Sequence, residues 1–73
     1  MEIKEKKREK EIITKRKKQI IEYISKGYTN DDIAKEMGCS TSLINAELLE
    51  MFKDTHTLSR AHLISWAYLN KIL

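Results

Sequence analysis

Residues 30–49, NDDIAKEMGCSTSLINAELL, leave this chain few ways to fold. Ala34 is small enough for a second helix to lie close against a first. Gly38 can take the positive φ that a sharp bend often needs, and Ile44 is a β-branched plug for the angle between the helices. Ile33 and Met37 stand four apart on one helical face, and Ile44, Leu48, Met51 and Phe52 continue that face beyond the turn. Two amphipathic helices in register with these three positions read as a helix-turn-helix. A plain helical hairpin with a glycine turn is the alternative that the skeleton alone leaves open.

The rest of the chain supplies helices on either side. Thr14 is placed to cap a first helix over about 15–26, with Ile20, Ile21 and Ile24 as its apolar face, Tyr23 alongside and Ile13 as a hydrophobic staple. Gly27 stops it. Thr29 and Asp32 have capping-box spacing for a second helix over about 30–37, and Asp31 and Asp32 complement its dipole. Ser40 caps a third helix over about 41–53. A polar break at 54–57 precedes a fourth, capped by Ser59 and running to about residue 72. With no proline, two glycines and abundant Lys, Glu, Ile and Leu, the expected class is all-α: a charged leader at 1–12, then one small four-helix domain at 13–73.

Charge is unevenly spread. Residues 1–18 carry nine Lys or Arg against four Glu, a net of +5, whereas the remaining 55 residues are net −2. Such a basic arm suits the nucleic-acid backbone, where phosphate contacts give affinity without reading sequence. Equally, Glu2, Glu5, Glu9 and Glu11 interleave with the lysines and can pair with them along a solvated leader.

Several functions are disfavoured. His56 and His62 are six apart with no cysteine or carboxylate at zinc spacing, so no metal is expected. Cys39 has no neighbouring base to make it a nucleophile and reads as a small apolar side chain in the turn. There is no Gly-rich phosphate loop, so neither an enzyme nor a cofactor is expected. A single cysteine, no apolar run able to span a bilayer and no signal-peptide core point to the cytoplasm, with no membrane partner.

Residues 13–52, ITKRKKQIIEYISKGYTNDDIAKEMGCSTSLINAELLEMF, resemble the LuxR/GerE-type DNA-binding domain. Ile13-Thr14-Lys15-Arg16-Lys17 stands where that family has a Leu-Thr-x-Arg-Glu opening. Thr29-Asn30-Asp31-Asp32-Ile33-Ala34 matches its Ser-Asn-x-Glu-Ile-Ala segment, and Met37-Gly38-Cys39-Ser40 its turn. The length is that of a free-standing member. The resemblance implies a four-helix domain whose third helix enters DNA and whose fourth is the dimer contact, setting two recognition helices ~34 Å apart.

The third helix departs from the family pattern. Leu43, Ile44, Asn45 and Glu47 occupy a place usually held by Thr-Val-Lys-x-His, and residues 41–54 are net −2. Its outward arc, opposite Ile44, is expected to carry Ser42, Ala46, Leu49 and Lys53, with Asn45 at the edge. Thr41, Ser42, Asn45 and Ala46 are the candidates for base contacts, Asn to adenine being a known pairing. Phosphates are expected at the helix N-termini near Thr14, Thr29-Asn30 and Ser40, with charge from Lys15, Arg16, Lys17 and Lys18.

The fourth helix is apolar on all sides. A stripe near Leu63, Trp66 and Ala67 can cover the core, and a second near Ile64, Tyr68 and Ile72 is expected to be exposed. The expected dimer interface is therefore Ile64, Trp66, Ala67, Tyr68 and Ile72, with folding-back of the leader as the alternative cover. Two functions follow. One is a dimeric, sequence-specific transcriptional regulator on double-stranded DNA. The other is an interaction module that binds a protein, such as another regulator or RNA polymerase, through the acidic third helix, exposed Leu49 and the fourth helix.

Overall fold

A computed structural model describes residues 13–73, and the expected leader at 1–12 lies outside them. The described chain is four helices with no strand: α1 (Lys15–Ser25), α2 (Asn30–Met37), α3 (Thr41–Thr55) and α4 (Arg60–Leu69). Each begins at the hydroxyl residue expected to cap it. Thr14, Thr29, Ser40 and Ser59 accept the backbone N–H of Lys17, Asp32, Leu43 and His62 at 3.1–3.2 Å. At Thr29 the capping box is complete, because the Thr29 N–H donates back to the Asp32 carboxylate at 3.1 Å. That bond is the main reason the Asp32 carboxyl is held below its ordinary range.

The helices also share one way of ending. Gly27, Gly38, His56 and Lys71 all have left-handed backbones, with φ of 90°, 66°, 58° and 59°. In each case the next residue donates its N–H to the carbonyl five positions back: Tyr28 to Tyr23, Cys39 to Ala34, Thr57 to Phe52 and Ile72 to Ala67, at 2.8–3.1 Å. This is the Schellman closure, which satisfies carbonyls left over at a helix end. It sets α2 against α3 at the turn, where Ala34 and Ile44 are buried together with Ile33, Leu48 and Met51.

Two expected boundaries move. The third helix runs to Thr55 because its polar ending is not a break: Thr55 Oγ1 donates to the Met51 carbonyl at 2.7 Å and shares a 2.9 Å hydrogen bond with Thr57 Oγ1. Both threonines are buried, so the hydroxyls serve each other inside the fold. The fourth helix stops at Leu69, not near 72, because Lys71 reverses the chain. Ile72 then folds back against Ala67 and is buried, whereas the sequence placed it on an exposed stripe.

One core holds all four helices. Ile20, Ile21 and Ile24 of α1 meet Ile33 and Ala34, then Ile44, Leu48 and Met51, and are closed by Leu63, Ala67 and Ile72. Ile13, Met37, Cys39 and Phe52 pack at its margins, as a staple and small apolar fillers should. Tyr23 and Tyr28 stack with ring centres 4.9 Å apart beside the first turn.

Candidate nucleic-acid interface

With Ile44, Leu48, Met51 and Thr55 facing the core, the 3.6-residue period fixes what else α3 presents. Ser42, Asn45, Ala46, Leu49 and Lys53 are exposed along the opposite arc, as expected. Glu47, Glu50 and Asp54 all fall on a single flank between arc and core, the side on which α1 packs. Arg16 of α1 meets Glu47 at 3.1 Å and Lys17 meets Glu50 at 2.9 Å. The Lys17 side chain is 10% exposed, so its charge is held by Glu50 rather than by water. Its hydrogen bond to Glu50 is the main cause that depresses the Glu50 carboxyl below its ordinary range.

These pairs revise the sequence reading in one respect. Arg16 and Lys17 each pair with one of α3's acids, Glu47 and Glu50. Lys15 and Lys18 remain exposed on α1. Ser42, Asn45, Ala46, Leu49 and Lys53 include no acid, but Glu50 beside them has a side chain 58% exposed and Asp54 is exposed as well.

The expected N-terminal phosphate sites are largely spoken for. Thr14, Thr29 and Ser40 spend their oxygens on capping, and the Asp32 carboxylate closes the start of α2. Thr41 donates its hydroxyl proton to Asp31 at 2.8 Å, tying the start of α3 to α2.

Asn30, expected at DNA, forms a joint between three helices. Arg60 at the start of α4 donates through Nη1 to Asn30 Oδ1 at 2.5 Å and through Nη2 to the Tyr28 carbonyl at 2.7 Å. Asn30 Nδ2 in turn donates to Asn45 Oδ1 at 2.5 Å. Sequence reasoning missed Arg60. Its signal was electrostatic: a cation in the first turn opposes the helix dipole and calls for a specific acceptor elsewhere. The same applies to Arg16 and Lys17 at the start of α1.

On α4 the expected interface divides. Tyr68 is 63% exposed and Leu69 81%, Ile64 and Trp66 are half-buried, and Ala67 and Ile72 lie in the core. Ala67 is fully buried because α4 packs it on the core beside Leu63, so Ala67 and Ile72 offer no face to a second molecule. Leu49 on α3 is also exposed, at 67%. Among the described residues no group of His, Cys, Asp or Glu could hold a metal, and no helix is long and apolar enough to cross a membrane. His62 accepts the Leu58 N–H at 3.1 Å, and His56 is the left-handed residue that ends α3.

Comparison with curated proteins and with solved structures gave no match. Comparison with protein families gave one, to the family described as bacterial regulatory proteins, luxR family, over residues 7–67. That span takes in the capped turn, Ala34, Gly38, Ile44 and most of α4, so the four helices and their match agree: this chain belongs to the luxR family of bacterial regulators, whose helix-turn-helix domains bind DNA.

Proposed function

We propose that the protein is a sequence-specific transcriptional regulator that binds double-stranded DNA as a dimer, with α3 in the major groove. The observation that carries this reading is the exposed arc of Ser42, Asn45, Ala46, Leu49 and Lys53, beside which Glu47 and Glu50 are each paired with a cation of α1. Ser42 and Asn45 offer hydrogen bonds to base edges, Ala46 and Leu49 suit a thymine methyl, and Lys53 suits a phosphate. The exposed Tyr68 and Leu69, beside half-buried Trp66 and Ile64, support a two-fold contact through α4.

Selection of the purified protein on a pool of random duplexes, at low and at physiological salt and beside its mass in solution, tests this. A dimer that enriches a short palindromic site is the expected result. Replacing Ser42 and Asn45 by alanine then lowers affinity about tenfold or more, with folding retained. Weak, sequence-blind binding that disappears with salt would instead assign the affinity to the basic residues near the N-terminus. A solution mass unchanged by Tyr68→Ala would remove α4 from the interface.

A second reading rests on Leu49. It borders a groove of about 320 Å³ with Asn45, Leu48, Phe52, Asn30 and Arg60, a shape that also suits an apolar side chain of a partner protein. Sequence-blind DNA binding together with a protein partner lost on Leu49→Ser would favour it.

A further inference from the structure

The joint between α4, α2 and α3 bears on specificity, given the reading above that α3 enters DNA. We propose that Arg60 is a positioning residue: through Asn30 it fixes which end of the Asn45 amide faces the groove. That position then favours a base edge with an acceptor, guanine or thymine, over cytosine.

The direction follows from donor chemistry. A guanidinium has five N–H donors and no acceptor, so the end of Asn30 that meets Arg60 has to be its oxygen. The nitrogen of Asn30 is then its other end, and it is the end that reaches Asn45. Asn45 meets a donor, so it turns its own oxygen inward and leaves Nδ2 outward on the exposed arc. Arg60 is held against swinging away by its second bond, to the Tyr28 carbonyl at 2.7 Å. A free asparagine presents either end and pairs well with adenine by using both. Held in this relay, Asn45 offers chiefly an N–H. Guanine O6 and N7 and thymine O4 accept such a bond, whereas the cytosine amino group repels it.

Asn30→Asp inverts the relay without changing its size. The new carboxylate still pairs with Arg60, but its remaining oxygen accepts rather than donates, so Asn45 turns Nδ2 inward and its oxygen outward. Two readouts follow. In the free protein, hydrogen exchange of the Asn45 side-chain amide, followed by NMR, is expected to be fast in the parent and slowed in Asn30→Asp. In duplex selection, one position of the site moves about five- to tenfold toward cytosine, the worth of one hydrogen bond, while adenine, which offers both an acceptor and a donor, and the other positions of the site keep their preference. Arg60→Lys, which keeps a donor to Asn30, retains the parental preference.

A general loss of affinity with every base preference unchanged would overturn the relay, as would equal Asn45 exchange in parent and variant. Selection of no sequence by the parent would overturn the DNA reading instead. The exchange measurement, which needs no DNA, judges the relay in that case. Thermal unfolding of each variant keeps a folding defect from passing for either result.

Discussion

The two long flanks of α3 are held by different chemistry. On one, Glu47 and Glu50 meet Arg16 and Lys17 of α1 as charge pairs. On the other, Asn45 and Phe52 border α2 and α4, and Asn45 is held by neutral amide bonds that end at Arg60. The first flank pairs two of the helix's three acids, and the second aims one polar group. A net charge counted along a helix therefore says little about the face it shows. What decides is which residues fall on which 100° step, and what the neighbouring helix brings to them.

The largest effect expected is from Ile44→Ala, which removes the fully buried side chain against which both flanks are aligned. A loss of about 3 kcal/mol is expected, enough to lower the melting temperature by more than ten degrees in a domain of this size. A shift of only a degree or two would mean that the flanks are aligned by something other than this contact.

A smaller effect separates charge pairing from stability. Lys17→Met keeps the buried stem and removes the ammonium, so folding should change by no more than about 1 kcal/mol in either direction. Glu50 is then left without its partner beside the proposed DNA face. Affinity for duplex at low salt should fall severalfold and recover toward the parent's as salt rises. Equal affinities at low salt would place Glu50 too far from phosphate to matter.

The smallest effect concerns pH. The Glu50 carboxyl is depressed in the fold by its bond to Lys17, so it contributes stability above the ordinary glutamate value of 4.5, and that contribution is lost as pH falls through the lower folded value. Glu50→Gln should flatten part of the acid limb of a melting-temperature profile below pH 4.5 and leave the neutral region with a small uniform loss. Asp32, depressed by the Thr29 N–H, contributes acid-limb slope that Glu50→Gln leaves in place. An unchanged acid limb would show that the Lys17–Glu50 contact is not kept in solution.

The helix starts were legible because their signals are local. A hydroxyl, then a backbone N–H three residues on, is a contact the chain makes with itself, and all four caps were readable for that reason. The ends were legible only where glycine marks them. Gly27 and Gly38 bracket the first two helices, but His56 and Lys71 take the same left-handed backbone without its usual residue. There the core decides, by pulling Thr57 and Ile72 inward against whatever residue precedes them. The exposed arc of α3 was readable from its period. The partners of its flanks were not, since a carboxylate looks alike in sequence whether it faces water or Arg16.

The sequence by itself determined the four capped helices, the glycine turn between Ala34 and Ile44, and the apolar residues of the core. These are set by spacing of 3.6 and by contacts within a few residues. Only the tertiary structure decided that Glu47 and Glu50 pair with α1, that Ile72 belongs to the core, and that Arg60 reaches Asn45 through Asn30. Arg60 and Asn30 are 30 positions apart, and their meeting depends on how α4 packs over the first turn. No local preference encodes that distance; it exists only once the core has closed.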